Sequence, residues 1–150
     1  MLDAEKRLVQ TSWQKASSDK ELFIETLYAN FFEMSPRSRL LFKRDLKLHQ
    51  RSIVAMLGST IERLDTLELI MPELIPSGAR HKDYRVTQDD FELFRIALLD
   101  TLKFFLAQDY TEDLEDAWNT VYHFIASTMC SAMRITPGQL TFDVDSFSRP

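Results

Sequence analysis

The 150-residue chain is predicted to be all-α, with six to eight helices packed as one domain. Three observations predict this. Apolar residues recur at spacings of three and four along most of the length, the period that lines one face of an α-helix. Glycine occurs only 3 times against 11 phenylalanines, a balance that favours packed helices over turn-rich sheet. Ser, Thr and Asp stand where these stripes begin, and proline stands where they stop, as helix caps and breakers do. Hydrophobic residues at 45% and charged residues at 27% are ordinary globular composition.

Leu8, Val9 and Trp13, flanked by Leu2 and Lys6, predict a first helix that Ser17-Ser18-Asp19 interrupts. Ser18-x-x-Glu21 has the form of a capping box opening the second helix. Leu22, Phe23, Leu27, Tyr28, Phe31 and Phe32 give that helix one broad apolar face. Ser35-Pro36 pairs an N-cap with a first-turn proline, starting a helix of one or two turns that runs to about Phe42. After the solvated corner Lys43-Arg44-Asp45, a long helix is predicted from Leu46 to Leu64. Its inner stripe reads Leu46, His49, Ile53, Met56, Leu57, Thr60, Ile61 and Leu64. Pro72 and Pro76 restrict the next segment to short, kinked helix, and Gly78 permits a close backbone approach. Thr87-Gln88-Asp89-Asp90 signals another helix start, a capping hydroxyl followed by first-turn acids. Phe91, Phe94, Leu98, Thr101, Leu102 and Phe105 line that helix. Thr111-Glu112-Asp113 starts the last one, lined by Leu114, Trp118, Val121, Tyr122, Ile125 and Met129 and ended by Pro137-Gly138. The predicted organisation is a domain over 1–136 and a tail over 137–150, extended or disordered. Alternating Leu140, Phe142 and Val144 would let the tail lie on the surface.

The formal charge of −5 argues against nonspecific contact with nucleic acid or anionic membranes. No apolar run approaches the roughly 20 residues that span a bilayer. Met1 to Lys6 shows no signal-peptide core. A single cysteine, Cys130, allows no internal disulfide, so a cytoplasmic protein is the simplest expectation.

Three histidines occur, His49, His81 and His123. His81 lies between two helical patterns, where a buried metal ligand could sit. His49 falls on an inward stripe one turn before Ile53, and His123 points off the inner face of the last helix. Tyr28 lies within an apolar face, so its hydroxyl needs a partner or a cavity. The six methionines and Cys130 read as packing residues. No Ser/His/Asp order, zinc spacing or phosphate loop stands out.

The segment Gly78-Ala79-Arg80-His81-Lys82-Asp83-Tyr84-Arg85-Val86 resembles the proximal-histidine region of bacterial haemoglobins. The order of the surrounding pieces is similar to the globin family, in particular to single-domain bacterial haemoglobins and the globin domain of flavohaemoglobins. Pro36 followed six residues later by Phe42 matches the globin corner. Tyr28, fourteen residues before Phe42, falls at the distal tyrosine. Met56-Leu57, Leu64-Asp65 and Pro72 match landmarks between the distal and proximal sites, and Ala117-Trp118-x-x-x-Tyr122 matches the last helix. The resemblance covers about Lys6 to Met133.

It implies a globin fold around haem b (iron protoporphyrin IX), with His81 as proximal iron ligand. Counting from the landmarks puts His49 at the distal place, as a candidate sixth ligand; a register shift of one puts Gln50 there instead. Tyr28, His49 and Gln50 are then the candidates for stabilising bound ligand. Phe42, Ile53, Leu57, Ser77, Arg80, Val86, Phe91, Phe94, Tyr122 and Ile125 are candidates for holding the haem. Ser77 would accept from the His81 ring N–H through its carbonyl, and Arg80 would face a propionate. Flavohaemoglobins carry a tyrosine ten residues after the proximal histidine and a glutamate in the last helix, and here Phe91 and Met133 stand instead. The implied function is reversible binding of O₂, with NO and CO as further ligands, by a monomer or homodimer. NO dioxygenation would need a separate reductase, because no residues remain for one. A globin-like sensor or interaction module, and a bis-histidine electron-transfer protein using His49, stand as alternatives.

Overall fold

The computed structural model describes residues 3–39, 46–66 and 88–133, without the side chains of His49, Gln88 and 128–133. Among these residues there are six α-helices, two short 3-10 turns and no strand. The helices are α1 (Asp3–Ala16), α2 (Lys20–Met34), α3 (Pro36–Arg39), α4 (Leu46–Glu62), α5 (Gln88–Leu106) and α6 (Glu112–Met133). None of them is long and apolar enough to cross a membrane. The all-α expectation holds. The 67–87 segment, the Lys43-Arg44-Asp45 corner and the 137–150 tail lie outside the described residues.

Except for Leu22, which is exposed because it falls at the edge of the α2 face, the stripes predicted from the sequence supply the core. Val9 and Trp13 of α1, Phe23, Leu27, Tyr28 and Phe31 of α2, Ile53, Leu57 and Ile61 of α4, Leu98 and Leu102 of α5, and Leu114, Trp118 and Val121 of α6 are buried together. α2 packs most extensively on α5, and α1 bridges α4, α5 and α6. The Trp118 indole N–H donates to the Ser12 hydroxyl at 2.8 Å, and the Ser12 hydroxyl donates to the Leu8 carbonyl at 2.6 Å. The Trp118 indole nitrogen and the Ser12 hydroxyl are thus both partnered, as burial requires. Trp13 lies beside Trp118, ring centres 6.2 Å apart.

Three helix ends differ from expectation. The cap of α2 is Asp19, whose carboxylate accepts from the Leu22 amide at 3.1 Å. The expected Ser18 capping box is replaced by this one-residue shift, because a carboxylate also meets the positive end of the helix dipole. Ser35 caps the C-terminal end of α2, its amide bonded to the Phe31 carbonyl at 2.8 Å. Its hydroxyl meets the Ser38 hydroxyl at 2.7 Å, so it does not act as a simple N-cap for α3. The long helix α4 stops at Glu62, and Leu64 sits in a 3-10 turn, Leu64–Thr66. The Arg63 amide bonds the Ser59 and Thr60 carbonyls at 3.2 Å each, tightening the last turn. By contrast, the Thr111 hydroxyl caps α6 as expected, accepting from the Leu114 amide at 3.2 Å.

α5 ends on a backbone feature invisible in the sequence. Ala107 has φ of 48°, in the left-handed region, where helices commonly stop on glycine. An ion pair between Lys15 and Asp109 holds this exposed turn to α1. A Cβ in that conformation is strained, so Ala107→Gly should stabilise the fold by about 1 kcal/mol. A higher urea midpoint at unchanged slope would show it; a lower midpoint would mean that the strain is absent.

Candidate functional site

Three helices turn apolar faces toward one another at a single place. α4 contributes Ile53, Met56 and Leu57, α5 contributes Phe91 and Phe94, and α6 contributes Tyr122, Ile125 and Ala126. Within each helix these residues stand one, three or four apart, so each set shares one face. They line a small cavity of about 30 Å³. Its polar side-chain oxygen, the Tyr122 hydroxyl, donates to the Phe91 carbonyl at 2.5 Å. That bond ties the first turn of α5 to α6 and leaves the lining apolar.

An aromatic cluster from α2 stands beside this wall. The Tyr28 ring lies edge-on to Phe94 at 6.1 Å and to Phe32 at 5.6 Å, and Phe31 meets Phe94 at 5.2 Å. Edge-to-face pairs of this kind add to what area burial alone supplies. Tyr28 is buried, and burial pushes its phenol well above the ordinary tyrosine range. It therefore stays protonated, a donor rather than an anion.

Gln50 is buried one turn before Ile53 and Val54, as one of the few polar residues inside α4. The backbone of His49 belongs to the same turn, but its side chain lies outside the described residues. So do Phe42, Ser77, Arg80, His81 and Val86. Of the expected site residues, the structure brings together Ile53, Leu57, Phe91, Phe94, Tyr122 and Ile125, with Tyr28 packed against Phe94. Met56 and Ala126 join them. Met56 already stood on the inward stripe of α4, and Ala126 gave no signal beyond its place next to Ile125.

A wider groove of about 840 Å³ lies along α5 and α6 and shares Phe91, Tyr122 and Ala126 with the notch. Several of its polar groups are engaged with one another. Glu92 accepts from the Arg95 Nε at 3.1 Å, Arg95 also donates to Asn119 at 2.8 Å, and exposed His123 meets Ser127 at 3.3 Å. The hydrogen bond from Arg95 holds the Glu92 carboxyl below its usual range. His123 is a surface residue, as its position off the inner face implied.

Residues 25–129, more than half of the chain, match the family model Globin. The chain is a globin. This globin is 23% identical over 143 residues to neuroglobin-1 of Oncorhynchus mykiss, covering 86% of the chain and 90% of that protein. It is 22% identical to the anaerobic nitrite reductase NSHB5 of Oryza sativa subsp. indica, covering 88% and 95%. Among solved structures, it superposes with a TM-score of 0.78 on an engineered carbene transferase from a Rhodothermus marinus protein described as a nitric oxide dioxygenase. That match has 22% identity and covers 89% of this chain and 94% of the other. A hexacoordinated haem protein from an anhydrobiotic tardigrade superposes with a TM-score of 0.75 at 18% identity, covering 90% and 96%. At these identities the solved structures speak to the fold.

Proposed function

We propose that this globin holds iron protoporphyrin IX and reversibly binds a diatomic gas, O₂ first, with NO and CO as further ligands. The observation that carries the reading is the apolar wall contributed jointly by α4, α5 and α6, with the protonated phenol of Tyr28 packed beside it. Such a wall fits a porphyrin in its chemistry. Phe91, Phe94, Ile53, Leu57 and Ile125 offer flat and branched apolar surface, and the Tyr122 hydroxyl hydrogen is committed to a carbonyl. The notch itself, at about 30 Å³, is a contact surface rather than a container. The bound iron would supply the gas chemistry.

The chain's own residues then divide the work. His81 would serve as the proximal ligand, with the Ser77 carbonyl and Arg80 holding its ring and a propionate. Phe42 and Val86 would complete the contact surface. Tyr28 would donate to the gas ligand, while His49 or Gln50 would supply the second distal group from α4. Phe91 replaces the tyrosine that flavohaemoglobins place behind the proximal histidine, and its carbonyl takes the Tyr122 hydroxyl instead. With less polar support behind His81, reversible binding is favoured over turnover. NO dioxygenation would require electrons from a reductase. The place of His49 in the turn of α4 before Ile53 supports a second reading, in which its side chain would occupy the sixth position when no gas is bound.

Visible spectra in ferric, ferrous and CO-bound forms test the cofactor, and the unliganded ferrous spectrum separates five-coordinate from six-coordinate iron. Tyr28→Phe tests the distal donor. A charge-assisted hydrogen bond is worth roughly 1.5–3 kcal/mol, about one to two decades in rate. O₂ release should accelerate by that factor, and CO release should change little. Equal effects on both gases would remove Tyr28 from the site.

A further inference from the structure

Asp90 is the one acidic residue among the buried polar and charged side chains of the described residues, 4% exposed in the first turn of α5. It stands next to Phe91 and four residues before Phe94. Its Oδ1 lies 3.3 Å from the Ser38 hydroxyl and 3.5 Å from the Ser35 hydroxyl. Its Oδ2 pairs with the Arg37 guanidinium. The two serine hydroxyls are themselves joined at 2.7 Å, so one donates to the other and the remaining hydroxyl proton goes to the carboxylate. Ser35, Arg37 and Ser38 make up the corner where α2, the helix bearing Tyr28, hands over to α3. A single carboxylate thus gathers three side chains of that corner onto the start of α5.

Apolar packing joins α2 to α5 through Phe31 and Phe94 and through Tyr28 and Phe94, and the Asn30 amide donates to the Thr101 hydroxyl at 3.0 Å. Apolar burial is non-directional, and the Asn30 bond falls well past the first turn of α5. A buried carboxylate costs desolvation, which its partners and the positive end of the helix offset only if the geometry is kept. A buried charged group held in fixed geometry can set the register of the elements it joins. On the other side of the same turn, the Phe91 carbonyl is held by Tyr122. The first turn of α5 is therefore pinned to the α2–α3 corner and to α6 at successive residues.

We propose that Asp90 is a positioning residue for the gas site, setting the spacing of Tyr28 against the Phe91–Phe94 wall by clasping the α2–α3 corner. This rests on the reading of Tyr28 as distal donor, and its test separates the two. The ring proton resonances of Tyr28 and Phe94 report their mutual placement by ring current, with or without haem. Asp90→Ala should shift both signals while those of Trp13 and Phe23, which pack edge-on at 5.2 Å, stay in place. Asp90→Asn keeps an acceptor for the two serines but loses the charge opposite Arg37, and should shift them less. In the haem-bound protein, Asp90→Ala should speed O₂ release roughly 2- to 10-fold, the lower part of the range for coupling within a shared network. In the Tyr28→Phe background, it should add nothing. Unmoved Tyr28 and Phe94 signals would overturn the clasp. Shifted signals with an equal acceleration of O₂ release in both backgrounds would show that Asp90 acts on the gas by a route other than Tyr28. A wild-type protein that takes up no haem would overturn the gas-binding reading, while the ring signals would still decide the clasp.

Discussion

His81→Ala should leave the globin unable to retain iron protoporphyrin IX at the stoichiometry of the wild type. The described wall explains why the effect should be large. Ile53, Leu57, Phe91, Phe94, Ile125 and Ala126 carry no atom that ligates iron, and the Tyr122 hydroxyl hydrogen is given to the Phe91 carbonyl. Met56 alone offers a thioether, which accepts from the Thr60 hydroxyl at 3.7 Å. Without His81 the cofactor would be held only by apolar surface and its propionates. The loss in affinity should exceed the roughly 10- to 100-fold seen when an outer-shell partner of a metal ligand is removed. Imidazole added in solution should restore part of the ferrous–CO spectrum, because the vacated volume matches the lost ring. Met56→Leu is the control and should leave the spectrum as it was. Unaltered haem content and an unaltered ferrous–CO spectrum in His81→Ala would place the proximal ligand elsewhere.

Trp118→Ala should produce the largest loss of stability among single changes to the core. The indole is 1% exposed and lies beside Trp13. Truncating a buried tryptophan to alanine costs about 3–5 kcal/mol, from lost transfer energy and from the cavity left behind. Here the change also removes the donor to Ser12, leaving a buried hydroxyl short of one partner. Against a total stability of roughly 5–15 kcal/mol for a domain, such a loss is severe. The thermal midpoint should fall on the order of 10 °C. Trp118→Phe, which refills most of the volume, should recover more than half. A loss below about 1 kcal/mol in Trp118→Ala would mean that α1 and α6 close over the gap without difficulty.

The helices were legible because burial imposes a period. Ile53, Leu57 and Ile61 on α4 and Leu114, Trp118 and Val121 on α6 stand at spacings of three and four, and all are buried. Caps were less legible, since several residues near each start can supply an oxygen. Ser18 and Asp19 both qualify by type, and only the backbone conformation at Asp19 selects the carboxylate. The same applies to Asp90. Its acidity in a first turn reads as a complement to the helix dipole, but its clasp depends on Ser35, Arg37 and Ser38. They lie more than fifty residues earlier, and no local pattern announces them. Most of the wall was visible as stripe residues: Ile53, Met56, Leu57, Phe91, Phe94, Tyr122 and Ile125 each faced inward by count, and Ala126 alone did not. His49 and Gln50 show the limit of counting, since neighbours on a helix differ by about 100° and either can border an inward stripe. Gln50 is buried.

The pairing of Trp13 with Trp118 has an optical consequence. The chain holds 2 tryptophans, and both indoles sit in one cluster, 6.2 Å apart. Their ultraviolet emission therefore comes from a single address, the seam between the first and last helices, and one of the two emitters is hydrogen-bonded to a serine. A red shift of that emission during denaturation would time the moment at which water enters this seam. Movements around Tyr28 and the start of α5 would leave the band position unchanged, so fluorescence and ring resonances offer two separate clocks for the two sides of the molecule.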